Sequence, residues 1–393
     1  MKILFLMISY PDVNYNSSMY TDLVQEFASN GHNVFVAVAN GNKNTSLKEE
    51  GGITVLRVKT MDLFNTSFLK KGVGNVLLPF QVTAAIQKYW KGITFDRIVV
   101  STPPITYLHT IIKLRRKFKS KIYLILRDIF PQNAIDLKIL RNPILINFFR
   151  IQERRLYRFC DSIGCMSAGN MQYIIEHNPF LKGNKLHLLP NWKKINDYTA
   201  PDHSLKIKFG LENKFIVIYG GNFGKPQKAE FILELARAMS VHEDVIFLFI
   251  GDGSEKQRIV DLALKSKLKN VLFHDPLPRH QYNEVVKFCD LGLINLSPKF
   301  TIPNIPSRTL SYWEAKIPVL AAIDSATDFG EILARSGSGL SSITGDFDSY
   351  IHNFERLYYD KELRTKMGEN GYRFLRENCS AAKAYSIINE KLL

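Results

Sequence analysis

The residues best suited to handle an anion lie between positions 303 and 322, Pro-Asn-Ile-Pro-Ser-Arg-Thr-Leu-Ser-Tyr-Trp-Glu-Ala-Lys-Ile-Pro-Val-Leu-Ala-Ala. Pro303 and Pro306 disfavour α geometry in the residues before them, and a proline costs nothing in the first turn of a helix. The spacing therefore predicts a loop, then a helix from about Ser307 to Ala315, ended by Lys316-Ile317-Pro318, then a buried strand over Val319-Leu320-Ala321-Ala322. Pro306, Ser307 and Arg308 would place a hydroxyl, a guanidinium and free amides at the positive end of that helix, which suits an anion. The alternative is an ordinary capped helix with a surface arginine.

Two glycine-rich turns follow apolar runs earlier in the chain. Tyr219-Gly220-Gly221-Asn222-Phe223-Gly224-Lys225-Pro226-Gln227 lets a backbone approach a ligand closely, and Lys225 can neutralise a phosphate. It is neither a Walker loop nor a dinucleotide fingerprint, and simple turn geometry would explain it equally well. Gly251-Asp252-Gly253 adds a second flexible turn. Arg127 and Asp128 end a further apolar run, where α/β proteins place their sites, although a local ion pair would account for them too. Ser17 and Ser18 close the first strand and open a helix, so either could be its N-cap.

The elements that must position these residues alternate. In residues 1–190, apolar runs at 3–8, 34–38, 53–58, 98–100, 122–126, 162–166 and 186–189 read as strands, with amphipathic stretches at 19–30, 82–91, 105–117 and 143–159 between them. After a polar linker around Leu189–Ser204, strands at 215–219, 245–250, 271–274 and 291–295 alternate with helices at 229–239, 255–265 and 281–288. The expectation is α/β: two Rossmann-like domains, residues 1–195 and 196–370, facing a deep cleft, with a helical tail, 371–393, packing back on the first domain.

A chain of 393 residues exceeds one ordinary core, and 46 % hydrophobic content excludes disordered and fibrous classes. Cys160, Cys165, Cys289 and Cys379 show no metal spacing and indicate a reducing compartment. The apolar start, residues 1–10, lacks a cleavage site and runs into Pro11-Asp12, so it reads as the first strand. No apolar run reaches the roughly 18 residues of a membrane span. HExxH, Cys/His clusters and GxSxG are all missing, and Asp346-Phe347-Asp348 lies in an acidic loop, so no metal is expected.

Charge is uneven. Residues 1–200 hold 27 Lys and Arg against 13 Asp and Glu; residues 201–393 hold 25 against 24. The basic half points to an anionic membrane surface, a phosphorylated ligand or a nucleic acid, but no nucleic-acid-binding motif accompanies it. Lys70, Lys71 and Lys88 mix with Phe64, Phe68, Leu77, Leu78, Phe80 and Tyr89, a composition that suits a membrane interface. Arg150, Arg154, Arg155 and Arg158 mix with Phe148, Phe149, Tyr157 and Phe159 on a stretch that reads better as a helix packed on its sheet.

Together, Arg127-Asp128-Ile129-Phe130-Pro131, the Gly220-Gly221-Asn222-x-Gly224-x-x-Gln227 turn, Gly251-Asp252-Gly253, and Ile305-Pro306-Ser307-Arg308 followed by Pro318-Val319-Leu320-Ala321 resemble retaining glycosyltransferases of the GT-B fold, family 4. Within that family the order and spacing resemble the bacterial surface-polysaccharide branch that includes N-acetyl-L-fucosamine transferases. The resemblance implies a UDP-sugar donor on the C-terminal half and a polyprenyl-diphosphate-linked saccharide acceptor on the N-terminal half. It implies a cytoplasmic enzyme at the inner face of the membrane, with no cofactor besides the donor. By the same resemblance Arg127, Asp128, Lys225 and Arg308 serve the chemistry. Ser17, Gly221, Asn222, Gly224, Gln227, Gly251, Gly253, Pro306, Ser307, Ser311 and Glu314 contact substrates.

Several positions depart from the family pattern. Its Glu-x7-Glu pair falls on Pro303 and Ser311, leaving Glu314, one turn on, as a carboxylate for the ribose. Its Arg and Lys near the diphosphate fall on Asn222 and Gln227, leaving Lys225 and Arg308 as substitutes. UDP-sugar 2-epimerases share the architecture, and a catalytically inactive scaffold that binds sugar nucleotides is also compatible with these changes.

Overall fold

The computed structural model describes residues 1–13, 16–63, 68–181 and 183–392. The chain divides into two compact units, Met1–Lys194 with Ala381–Leu393, and Ile195–Ser380. Both units are Rossmann-like, so the protein is α/β, as expected.

In the first unit the described residues form one sheet from β1 (Lys2–Met7), β2 (Asn33–Ala39), β3 (Ser46–Glu50), β4 (Ile53–Val58), β5 (Arg97–Ser101), β6 (Lys121–Leu126), β7 (Ser162–Cys165) and β8 (Leu186–Leu188). Their order is β3-β4-β2-β1-β5-β6-β7-β8. All neighbours run parallel except β3 against β4. The chain direction across the sheet reverses between β1 and β5, and the loops after these strands are where such sheets place ligands. The edge strand β3 escaped the sequence reading because Ser-Leu-Lys-Glu-Glu is mostly exposed and carries no apolar alternation.

The helix Met19–Ser29 starts on Ser18, whose hydroxyl accepts from the Thr21 amide while the Thr21 hydroxyl returns to the Ser18 backbone. The helix read over 82–91 begins much earlier, at Phe68, and carries Pro79 inside it. The Pro79 carbonyl accepts from the hydroxyls of Thr83, 2.6 Å, and Thr110, 3.0 Å, which holds this irregular turn. Phe64 lies outside the described residues.

The tail was expected to return from residue 371; the returning segment starts at Ala381. The helix Lys361–Asn378 stays with the second unit, because Gly368 lets it approach so closely that a Cβ there would lie 1.9 Å from the Lys316 carbonyl oxygen. The helix Ala381–Leu392 instead inserts Ala381, Ala384, Ile388 and Leu392 into the first unit's core beside Phe5, Phe27 and Trp192.

The second unit has β9 (Phe215–Asn222), β10 (Val245–Asp252), β11 (Val271–His274), β12 (Leu291–Asn295), β13 (Val319–Ile323) and β14 (Gly339–Ile343), all parallel, in the order β11-β10-β9-β12-β13-β14. Side chains alternate between two apolar layers: Ile216 and Ile218 face one, Val217 and Tyr219 the other. The strand β14 was missed because Gly-Leu-Ser-Ser-Ile is too polar to stand out. All four cysteines are free and buried.

Candidate functional site

In the second unit the predicted residues converge at the carboxyl ends of β9 and β10. These strands pair in register, with Gly251 opposite Gly221 and Asp252 opposite Asn222. Gly221 and Gly251 have φ of +114° and +154°, values that side chains avoid, and a Cβ on Gly251 would meet the Gly221 carbonyl oxygen at 1.9 Å. A Cβ on Gly253 would sit 2.5 Å from the Asn222 side-chain oxygen. The two turns are thus fitted to each other, and they leave bare backbone at the sheet edge.

Arg308 closes over this bare backbone. Its guanidinium carbon lies 4.5 Å from the centre of the Tyr219 ring and 3.7 Å from where a Gly221 Cβ would stand. One terminal nitrogen, Nη1, is buried without a hydrogen-bond partner. A buried N–H of a cation with no acceptor costs free energy, about 1–3 kcal/mol or more, until something accepts from it. The missing acceptor is most naturally an anionic oxygen.

The helix expected from Ser307 to Ala315 is shorter, Thr309–Glu314. The amides of Thr309, Leu310 and Ser311 reach back to the carbonyls of Pro306, Ser307 and Arg308 at 3.4, 3.2 and 3.0 Å. Such i→i+3 turns use the very N–H groups that a helix start would offer a ligand, so the backbone part of the expected anion site is weakened and the guanidinium carries it. Ser307 is exposed, Pro306 and Ser311 are half-buried, and Glu314 is buried.

Gln227, expected to contact substrate, is also engaged within its own turn. Its side-chain oxygen accepts from the Gly224 amide at 3.1 Å, closing the short turn Lys225–Gln227. The Asn222 side chain is exposed, with its amide 3.5 Å from the same Gln227 oxygen. Lys225 is exposed on that turn, free to swing toward an anion.

Sequence reasoning missed the tyrosines. Tyr219 lies directly before Gly220-Gly221, and its hydroxyl donates to the Asn222 carbonyl at 2.9 Å. The Tyr312 hydroxyl accepts from the Gly220 amide at 3.2 Å and reaches the Leu293 carbonyl at 3.2 Å, pinning β9 to β12. Tyr282 packs against Gly220, where a Cβ would collide with its hydroxyl at 1.9 Å. An aromatic residue directly before a Gly-Gly turn was the available signal.

In the first unit Arg127 and Asp128 follow β6 directly. The Arg127 guanidinium donates to the Asn191 side-chain oxygen and lies 5.7 Å from the Trp192 ring centre, while its amide donates to the Thr102 hydroxyl at 3.1 Å. Burial pushes the Asp128 carboxyl up from its ordinary value, with Arg127 drawing it back down. Burial likewise lowers Arg127. Arg127 is thus held at the carboxyl end of the sheet by Asn191, Trp192 and Thr102. Ser17 is exposed, with its amide donating to the Asn16 side chain at 2.8 Å.

Two helices of this unit bear on the expected membrane contact. On Phe68–Tyr89, Val73, Val76, Leu77 and Phe80 are exposed at helical spacing, whereas Leu78 is buried and cannot belong to an interface. On Pro143–Phe159 only Glu153, Leu156 and Tyr157 are buried. Its first half exposes Ile144, Leu145, Phe148 and Ile151, although Phe149 packs edge-on against Phe130 with ring centres 5.0 Å apart. Both helices pack on the region 105–118, which exposes Lys113, Arg116 and Lys117. Among the described residues no helix is long and apolar enough to cross a membrane, and no three His, Cys, Asp or Glu side chains come together as a metal site.

Residues 203–374 match the family model described as glycosyl transferases group 1. Over that stretch the second unit is similar to group 1 glycosyl transferases. The chain is 24 % identical over 253 residues to the probable glycosyltransferase WbjE of Pseudomonas aeruginosa, a match covering 62 % of this chain and 61 % of that protein. It is 25 % identical over 314 residues to the putative colanic acid biosynthesis glycosyl transferase WcaI of Escherichia coli K12, covering 74 % and 75 %. Sucrose-phosphate synthase from Thermosynechococcus elongatus superposes with a TM-score of 0.79 at 15 % identity, over 99 % of this chain and 98 % of its own. HepE of Anabaena in complex with UDP-glucose gives 0.73 at 16 %, over 100 % and 99 %. Both likenesses span the two units and establish the fold.

Proposed function

We propose that the protein is a retaining, metal-independent glycosyltransferase. It moves a sugar, an N-acetylated hexosamine or deoxyhexosamine, from a UDP-sugar to a lipid-linked saccharide in bacterial surface-polysaccharide synthesis. The observation that carries the donor reading is the buried, unpartnered Arg308 Nη1 beside the bare Gly221 and Gly251 backbone. A diphosphate supplies the missing acceptor, and the UDP and UDP-glucose complexes of HepE lend support. The matches to WbjE and WcaI support the polysaccharide setting.

In this reading Arg308 and Lys225 take up the charge that develops on the leaving diphosphate. The bond from the sugar's anomeric carbon to the β-phosphate oxygen breaks. The acceptor oxygen bonds to that carbon from the same face, and its proton passes to a phosphate oxygen, so UDP departs carrying it. Arg127 and Asp128 lie at the sheet edge where the acceptor would bind. The basic first unit would rest on an anionic membrane on the cytoplasmic side, with Val73, Val76, Leu77 and Phe80 entering the interface and exposed lysines and arginines around them.

The test is a nucleotide-sugar binding panel followed by mass spectrometry of products formed on lipid-linked acceptors. UDP release that depends on acceptor, with a glycosylated product, supports the reading. Conversion of the sugar nucleotide without acceptor would place the chain with the epimerases, and failure to bind any UDP-sugar would make it a scaffold.

A further inference from the structure

Arg308 lacks the partner that usually fixes an arginine. Among the described residues no carboxylate pairs with it, and it has an aromatic ring beneath it instead. The difference matters for an anion site. A carboxylate orients a guanidinium but cancels its charge, whereas the negative face of a ring orients it and leaves the full positive charge for a ligand.

The ring itself is closely packed. Tyr219 is buried at the end of β9, its hydroxyl donates to the Asn222 carbonyl at 2.9 Å, and its edge packs against Phe223 and Phe249 with ring centres 5.2 and 5.7 Å away. Because Gly221 has no side chain, nothing from that residue separates the guanidinium from the turn backbone. On the basis of these contacts, and resting on the donor site proposed above, we infer that Tyr219 is a positioning residue that holds the still-charged Arg308 guanidinium over the Gly221 turn, where the donor diphosphate binds. It touches no reacting atom. Its part is to restrict a long side chain to one arrangement, so less freedom is lost when the diphosphate arrives.

The experiment measures UDP affinity by titration calorimetry for wild type, Tyr219→Phe, Tyr219→Leu, Arg308→Ala and the double variant Tyr219→Leu/Arg308→Ala, with folding followed by circular dichroism. Tyr219→Phe keeps the ring and is expected to bind UDP within about twofold of wild type, while Tyr219→Leu loses about tenfold. In the Arg308→Ala background the leucine substitution should have no further effect, since the residue it positioned is gone. An equal loss in both backgrounds means that Tyr219 merely supports the strand, and overturns the inference. If Tyr219→Leu does not fold, Tyr219→Met provides the same comparison. Should Arg308→Ala bind UDP normally, the donor site itself is misplaced and both readings fall. If Arg308→Ala is weak and Tyr219→Leu is normal, only the positioning role falls.

Discussion

Replacing Arg308 by alanine is the sharpest perturbation of the donor site. The change removes a guanidinium that lies 4.5 Å over Tyr219 and 3.7 Å from the Gly221 Cβ position, and with it the buried Nη1 that has no acceptor in the protein. Losing one preorganised donor to a developing charge costs about 100-fold to 1,000-fold in kcat, or about 2.7–4 kcal/mol. The upper part of that range applies if Arg308 stands alone, because the neighbouring Asn222 and Gln227 carry no charge and the Gln227 side-chain oxygen is committed to the Gly224 amide. The lower part applies if Lys225, exposed on its turn, swings in to compensate. We therefore expect at least a hundredfold fall in kcat. The fold should be retained, because the unpartnered nitrogen contributes no internal hydrogen bond to lose. Arg308→Lys keeps a charge but neither the fork nor the stacked plane, and should fall between the two. The assay is steady-state turnover of a UDP-sugar with a lipid-linked acceptor, with thermal unfolding as the control for folding. Near-normal turnover by Arg308→Ala would refute the placement of the phosphate site.

Activity is expected to survive EDTA; complete loss on chelation, restored by Mg²⁺ or Mn²⁺, would contradict charge neutralisation by side chains. In co-sedimentation the protein should bind anionic liposomes at low salt and release them at high salt, and Phe80→Ser should weaken the binding; equal retention on neutral vesicles would sink the electrostatic model. Tyr312→Phe leaves the Gly220 amide and the Leu293 carbonyl without their partner and should lower the unfolding free energy by about 1–3 kcal/mol, read by denaturant titration. His187, which shares a 2.7 Å hydrogen bond with Tyr123, is held down to about 4, chiefly by burial and next by Lys391. The unfolded chain takes up that proton near pH 6.5 and the folded chain only near 4. Stability should therefore fall as pH drops through this window, and fall less in His187→Gln.

Most strands were legible because their apolar runs are continuous. Ile53–Val58, Val271–His274 and Leu291–Asn295 have the limits the sequence indicates. The strands β3 and β14 were not, since an exposed edge strand and a serine-rich one need no apolar signature. The helix Phe68–Tyr89 was truncated because Pro79 reads as a stop; in the structure the hydroxyls of Thr83 and of Thr110, 31 residues away, both bond the Pro79 carbonyl and hold that turn. At the site the glycines and Arg308 were visible as residue types, and their convergence at one sheet edge follows from parallel topology. The side-chain partners were not visible: that Gln227 closes its own turn, that the Thr309, Leu310 and Ser311 amides are consumed by i→i+3 bonds, and that Tyr219 lies under Arg308 all depend on distances no spacing rule supplies.

The uneven charge of the chain and the chemistry of its second unit now fit together. The unit that would hold the most highly charged ligand is itself nearly neutral, with 23 Lys and Arg against 24 Asp and Glu over residues 195–380. A diphosphate needs no net positive domain. It needs one or two cations that are desolvated and oriented, because a charge over a buried ring in low dielectric interacts far more strongly than the same charge in water. A membrane makes the opposite demand. It presents a broad anionic plane, to which each exposed basic residue contributes about 1 kcal/mol, so many scattered charges serve better than one well-placed one. Residues 67–160 supply them, 18 Lys and Arg against 4 Asp and Glu. Salt separates the two arrangements: screening over about 3 Å at 1 M removes the attraction of exposed lysines for a surface while leaving a buried guanidinium largely unaffected. On the proposed reading, the distribution of charge between the units would reflect two ways of holding phosphate, by place in the second unit and by number in the first.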